Sequence, residues 1–523
     1  MRTSANYAFH FVDGVLTITR ATLQVTANDA NREYGAANPT FDATISGFAN
    51  TQTLATSGVT GAPSCASTAT GTSPVGTPVA ITCTAGTGTG ALASANYAFH
   101  FVDGVLTITR ATLQVTATSS PASQQYSDLI TLSATVSPTS LAGSTLTGTI
   151  TFKIDGAATG AALPIVNGTA TQQLAVTQPS GSHTVTALFT PSQALASNFA
   201  SETGTTPLTV TKENAYIEYT GDSFKNTASP SINTATVNLS AVVREAGAVG
   251  APASSDTTIG DKLSTTSLTF TVTPYTGSAP PPCTVQVTPT GTGTGSAACQ
   301  VTLAAGDPYT VTIALAANGY YVADSEEAAV TVALPGTGFT TGGGWINEPN
   351  LGTKSNFGFN AKRLKNGSIQ GNSLYIYRTR VTAGTVGTAT PGVFLPAGDY
   401  NFQVKSNSWQ GGGLSLSTSC NTTTSPFSGC TATFSGKANL TAIDRLSGVA
   451  YSLGGGYSYR VDVTDFGEPG SKASPTPDTY GLKVWNSSGT YYQLYSGPPP
   501  NASTFPQLAL NGGNIQVLSL IHI

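Results

Sequence analysis

The sequence predicts an all-β protein assembled from tandem small β-sandwich beads, and three observations predict it. Charged residues make up 9% of the 523, against about 25% in an ordinary soluble domain. Long helices and coiled coils therefore lack the Glu, Lys and Arg their exposed faces need. The polar half of the chain is instead Thr, Ser, Asn and Gly, which suit strand faces and turns. Segment after segment alternates apolar and polar residues, with turn residues at roughly ten-residue spacing. Apolar residues at 39%, with 57 Gly, are enough to build cores. A formal net charge of −4 excludes disorder driven by charge repulsion. Only 21 basic residues are present, which argues against nucleic-acid binding, since phosphate recognition needs clustered Lys and Arg. The densest basic run, Lys362, Arg363 and Lys365, reads as a solvated loop or edge-strand guard. No window holds 18 consecutive apolar residues, so no membrane-spanning helix is expected.

Residues 4–27, SANYAFHFVDGVLTITRATLQVTA, recur unchanged at 94–117, an offset of 90 residues. That offset is the size of a small domain rather than a solenoid repeat, so the chain reads as an array of beads. Residues 1–19 are read as the tail of a preceding bead, and the chain as a fragment. Within the repeat, Tyr97 to Val102 and the alternating run from Val105 read as two strands. The Asp103-Gly104 pair between them predicts a two-residue hairpin turn.

RATLQVTANDANREYGAANPTFDATISGF, followed by SPVGTPVAITC and SANYAFHFVDGVLTI, resembles the MBG repeat of bacterial surface proteins in its YGX form. The resemblance covers residues 20–110. Gly35 and the Asn38-Pro39 step are expected to form a tight loop, with Tyr34 as a core anchor. From 111 to 211, short strands such as GTITFKIDG and SHTVTALFT resemble bacterial Ig-like repeats. His183 opens the second of these strands on the same face as Val185, Ala187 and Phe189. It reads as a hydrogen-bonded residue at the rim of the core, with no acid or nucleophile placed around it by the sequence.

Residues 212–335 read as a second Ig-like sandwich with seven candidate strands. Asp324, Glu326 and Glu327 precede the last of them as an acidic turn, with a calcium site as the sharper alternative. Residues 336–517 hold all three Trp and change composition. FTTGGGWI, KSNFGFNAK, GNSLYIY and YRVDVTDFGEPG resemble the C-terminal β-module of secreted bacterial repeat proteins. Residues 518–523, LSLIHI, read as a sequencing-adapter artefact.

The six cysteines fall into three close pairs, Cys65 with Cys83, Cys283 with Cys299 and Cys420 with Cys430. None is C-x-x-C and none has a neighbouring His, which fits neither zinc nor redox chemistry. Local disulfides are the better reading, though six cysteines allow fifteen pairings; the Cys283–Cys299 bond is expected to tie neighbouring strands. Disulfides imply an oxidising location, extracellular or at the bacterial cell surface.

The sequence contains no H-E-x-x-H, no G-x-S-x-G, no Walker loop and no dinucleotide-binding glycine motif. No catalytic residue is assigned and the protein is read as not an enzyme. Two weaker clusters remain. Asp462, Asp465, Glu468 and Asp478 gather around a Gly-Pro turn and are candidate calcium ligands; calcium is the one cofactor considered. Trp409, Trp485, Tyr491 and Tyr492, with Tyr457, Tyr459 and Tyr495, are candidates for a flat glycan-binding face, against the alternative that they fill a core. The expected function is a non-catalytic surface stalk or adhesin-like spacer. Its partners would be extracellular polysaccharide or a host or cell surface. The alternative is a glycan-binding accessory region of a larger secreted enzyme.

Overall fold

A computed structural model describes residues 6–254, 256–336, 339–348, 352–386, 392–417, 429–467, 476–493 and 507–518. The chain is all-β: the one helical element among the described residues is a single 3-10 turn, Lys262–Thr265. It divides into two compact units. The first holds 1–124, 130–174 and 182–209, and the second 125–129, 175–181 and 210–523.

In the first unit, two small sheets share the core expected of the 20–110 region. Ala21–Ala27 lies between Ala43–Ser46 and Tyr97–Val102, and a four-stranded sheet runs from Ala30–Glu33 through Gly104–Thr109 and Val79–Thr84 to Ser64–Ser67. Leu23, Val25, Ile81, Leu106 and Ile108 fill the space between, as period-two alternation requires. The Asp103-Gly104 step is not a hairpin. Tyr97–Val102 pairs parallel with Ala21–Ala27, whereas Gly104–Thr109 belongs to the other sheet. The chain crosses between sheets there, and glycine is needed because a Cβ at 104 would stand 2.5 Å from the Ala27 carbonyl oxygen.

Tyr34 is buried, but its ring meets Phe199 edge to face at 5.6 Å. It therefore anchors one bead on the next. Glu33 reinforces that join by accepting from the Thr112 hydroxyl and amide. The neighbouring sandwich pairs a three-stranded sheet around Leu129–Ser137 with a larger one around Gly148–Ile154 and Gly181–Pro191. Residues 6–20, although identical in sequence to 96–110, form no strand and stand exposed.

The second unit contains a sandwich of two five-stranded sheets and one ten-stranded sheet. All seven expected strands of the 212–335 region are present. The Glu326–Ala333 strand is buried along its whole length, because it is covered on both faces. One neighbour is the ten-stranded sheet, whose strands alternate between two roles. Phe357, Phe359, Tyr375 and Tyr377 point into an aromatic core, while Leu374 and Ile376, between them, pack on Ala329. Gly358 permits this close approach: a Cβ there would lie 2.6 Å from the Thr331 hydroxyl. Leu518, set aside in the sequence reading, continues the last strand, Gly512–Leu518, opposite Phe339. Residues 519–523 lie outside the described residues.

Candidate functional site

In a chain with 46 charged side chains (21 basic and 25 acidic), eight line one cleft of about 540 Å³ in the second unit. They are Glu218, Arg244, Asp324, Glu326, Lys354, Arg378, Asp399 and Arg445. The strands dictate the arrangement. Arg378 follows Leu374 and Ile376 on the inner face of the Ile369–Val381 strand, so its side chain enters the layer between the sheets. Glu326 opens the buried Glu326–Ala333 strand opposite. The guanidinium grips the carboxylate with both arms, Nη2 to Oε1 at 2.7 Å and Nε to Oε2 at 3.1 Å. It also donates to Asn356 Oδ1 at 2.9 Å and to the carbonyls of Lys354 and Glu327. Arg378 is 6% exposed and Glu326 4%, so both charges are tolerated only because each is paired and hydrogen-bonded.

Around this pair the charges cancel. Arg445 Nη2 reaches Glu326 Oε2 at 3.3 Å and its Nη1 lies 4.0 Å from Asp324. At the cleft's rim Arg244 meets Glu218 at 2.9 Å. Lys354 donates to the Tyr219 carbonyl at 2.9 Å and sits 4.5 Å over the Trp345 ring; burial holds its pKa below the usual lysine value. Burial pushes the carboxyls of Asp324 and Glu327 up, and Glu327 accepts from Gln403 Nε2 at 2.8 Å. The expected solvated acidic turn is thus corrected for Glu326 and Glu327. Both are buried strand residues, and their oxygens are taken by Arg378, Arg445 and Gln403 rather than held open for calcium. Four acids face four bases in the lining, and the Arg378–Glu326 and Arg445–Glu326 pairs tie the ten-stranded sheet to the Glu326–Ala333 strand.

The other expected sites resolve differently. Cys65–Cys83 and Cys283–Cys299 are disulfides. The first joins directly opposed residues of adjacent strands. The second does not tie neighbours: Cys283 pairs within one sheet and Cys299 within the other, so it bridges the sandwich. Cys430 is buried at the start of its strand, and Cys420 lies outside the described residues.

Among the candidate calcium ligands, Asp462 accepts from Thr433 Oγ1 at 2.5 Å and pairs with Arg460 at 2.8 Å. Asp465 accepts from the Gly467 and Val517 amides, and Asp478 from those of Phe466 and Ile515. Glu468 lies outside the described residues. Ile515 and Val517 are on the edge strand of the ten-stranded sheet, so Asp465 and Asp478 satisfy edge amides that no further strand among the described residues reaches.

The four candidate glycan-binding aromatics do not share a face. Trp409 donates its Nε1–H to the Gly371 carbonyl at 2.9 Å and packs edge-on against Phe434. Tyr491 meets buried Tyr457 edge to face, and Tyr492 stacks on buried Tyr377 at 4.3 Å. Trp485 alternates with core-facing Val484 and Leu482, so it projects from the opposite side of the sheet. Tyr457 and Tyr459 are buried, and Tyr495 lies outside the described residues. Large aromatics go to the core here because no other residues supply comparable apolar area. His183 does have an acid beside it, contrary to the sequence reading: its Nδ1 is 2.6 Å from Asp155 Oδ2.

The sequence reading missed Arg378. Its only signal was a charge directly following the apolar run Leu374 to Tyr377 in SLYIYRTR.

Among solved structures, titin domains Z1Z2 in complex with telethonin align at 13% identity, covering 44% of this chain and 98% of that one, with a TM-score of 0.20. Native E. coli alpha-2-macroglobulin aligns at 13% identity, covering 71% and 29%, with a TM-score of 0.16. The N-terminal eight Ig domains of Down syndrome cell adhesion molecule align at 10%, covering 78% and 50%, with a TM-score of 0.15. No curated protein matches the chain in sequence. The first bead does have a family: residues 23–107 match the MBG domain of the YGX type.

Proposed function

We propose that the chain is a non-catalytic extracellular stalk or adhesin-like spacer, built of beads at 20–110, 111–211 and 212–335 and a C-terminal module at 336–517. One observation carries the reading: the charged cleft is spent on joining sheets. Eight charges in a charge-poor protein are gathered where three sheets of the second unit meet, and acids and bases are equal in number there. That investment suits a part whose task is to keep neighbouring modules from hinging. The Tyr34–Phe199 contact supports the same reading in the first unit. The Cys65–Cys83 and Cys283–Cys299 disulfides favour an oxidising, extracellular setting. The glycan-binding alternative loses its support because the aromatics it needs pack on the core or point to opposite sides of the sheet.

Stretching single molecules of the whole chain tests the proposal. Successive unfolding events are expected, one per cooperative unit. Reductant should lengthen the contour by about 6 nm and about 5 nm in the events that release the 18- and 16-residue separations of Cys65–Cys83 and Cys283–Cys299. A featureless extension with no resolved events would refute a spacer that resists force. Binding to immobilised polysaccharide that is lost on Trp485→Ala would restore the alternative.

A further inference from the structure

One cluster of carboxylates in the second unit stands outside everything described above. Asp128, Glu213 and Asp256 each place a carboxylate oxygen within 4.8 Å of the other two. They are far apart in sequence, so no spacing motif announces them. Asp128 sits in the loop before Leu129–Ser137, Glu213 begins Glu213–Tyr219, and Asp256 lies in the loop after the Thr234–Glu245 strand.

The hydrogen bonding is incomplete in a particular way. Asp128 Oδ1 accepts from the Thr258 hydroxyl at 2.9 Å, and Asp256 Oδ1 from the Thr258 amide at 3.0 Å. Glu213 uses Oε1 on the Asn214 amide at 2.7 Å. Glu213 Oε2 and Asp256 Oδ2 are buried with no hydrogen-bond partner, and Glu213 is 1% exposed. Among the described residues no basic side chain pairs with any of the three. Nearby Glu245 shows the contrast, since Ser127, Gly260 and Tyr321 all donate to its carboxylate. A buried carboxylate oxygen with neither donor nor counter-charge is costly. Three carboxylates at this spacing compound the cost by repulsion.

The missing partner has a recognisable chemistry. Oxygens bound to a common calcium ion at about 2.4 Å stand at most about 4.8 Å apart, and the three carboxylate oxygens lie within that limit of one another. The ligands are all hard oxygens, with no His or Cys to favour a softer metal. We propose that Asp128, Glu213 and Asp256 form a calcium-binding site, with water completing the coordination. Bound calcium would fix the loops carrying Asp128 and Asp256 to the first residue of the Glu213 strand. The site does not depend on the stalk reading.

The test uses the whole chain, stripped with chelator and titrated with calcium chloride by calorimetry, with magnesium chloride in parallel. One saturable calcium site is expected, with a melting transition that rises with the logarithm of calcium concentration. Glu213→Gln and Asp256→Asn should each weaken calcium binding at least tenfold. Without calcium they should melt no lower than the parent, because each removes a repelling buried charge; this separates lost ligation from misfolding. Absence of saturable binding, tighter binding of magnesium than calcium, or calcium binding unchanged in both variants would overturn the proposal.

Discussion

Replacing Arg378 by Met is the most direct way to ask whether the charged cleft holds the sheets together. Met keeps much of the side-chain volume and removes the guanidinium. Glu326 would then retain only Arg445 at 3.3 Å, and the Lys354 and Glu327 carbonyls and Asn356 Oδ1 would each lose a donor. Breaking a buried ion pair from one side costs about 3–5 kcal/mol, because the remaining charge stays desolvated. For a cooperative unit of about 330 residues, an unfolding entropy of about 0.7 kcal/mol/K converts this to a fall of about 4–7 °C in the transition of the second unit. Calorimetry of the parent and variant measures it, and the double variant Glu326→Gln/Arg378→Met gives the coupling. The double variant should recover much of the loss, since it leaves no unpaired charge. The loss should also persist in 1 M salt, where exposed pairs are screened. A fall below about 2 °C, or one abolished by salt, would refute the assignment of this pair as a buried fastening.

Two further outcomes are expected. Asp478→Ala removes the acceptor for the Phe466 and Ile515 amides. It should cost about 2–4 kcal/mol at charge-assisted bond strengths, with hydrogen exchange at Ile515 accelerated far more than at core amides of the same sheet. Burial, and then the charges of Asp256, Asp128 and Glu245, pushes the Glu213 carboxyl up to about 7. Because the folded value lies above the unfolded one, its contribution is fully present below about pH 4.5 and is lost as pH rises through 7. Chelator-treated protein should therefore lose up to about 3 kcal/mol between pH 5 and 8, whereas Glu213→Gln should show a flatter profile in denaturant titrations.

What the sequence revealed and what it hid divide along a physical line. Strands such as Gly181–Pro191 were legible because one face is solvated, so the apolar period is two. The Glu326–Ala333 strand hid its first two residues because both faces are covered, and Glu326 and Glu327 then look like a surface turn. Gly104 was misread for a related reason: a glycine demanded by a carbonyl in another strand looks, in one dimension, like a turn glycine. Cysteine spacing pointed to Cys65–Cys83 and Cys283–Cys299, but not to the second of them spanning two sheets. The carboxylates of Asp465 and Asp478 suggested a cation, because sequence shows charge and not the amides facing it. Arg378, and the meeting of Asp128, Glu213 and Asp256, depend on strand order, which local pattern does not encode.

The duplicated stretch supplies an internal reference. Tyr97–Val102 and Gly104–Thr109 are paired strands, while the same residues at 7–12 and 14–19 are exposed and unpaired. Composition, propensity and chain temperature are identical for the two copies, so any difference in amide protection between matched positions is a direct reading of what neighbours contribute to a strand. For Phe11 against Phe101, or Ile18 against Ile108, that difference compares one peptide with itself, in one tube, with and without a fold around it.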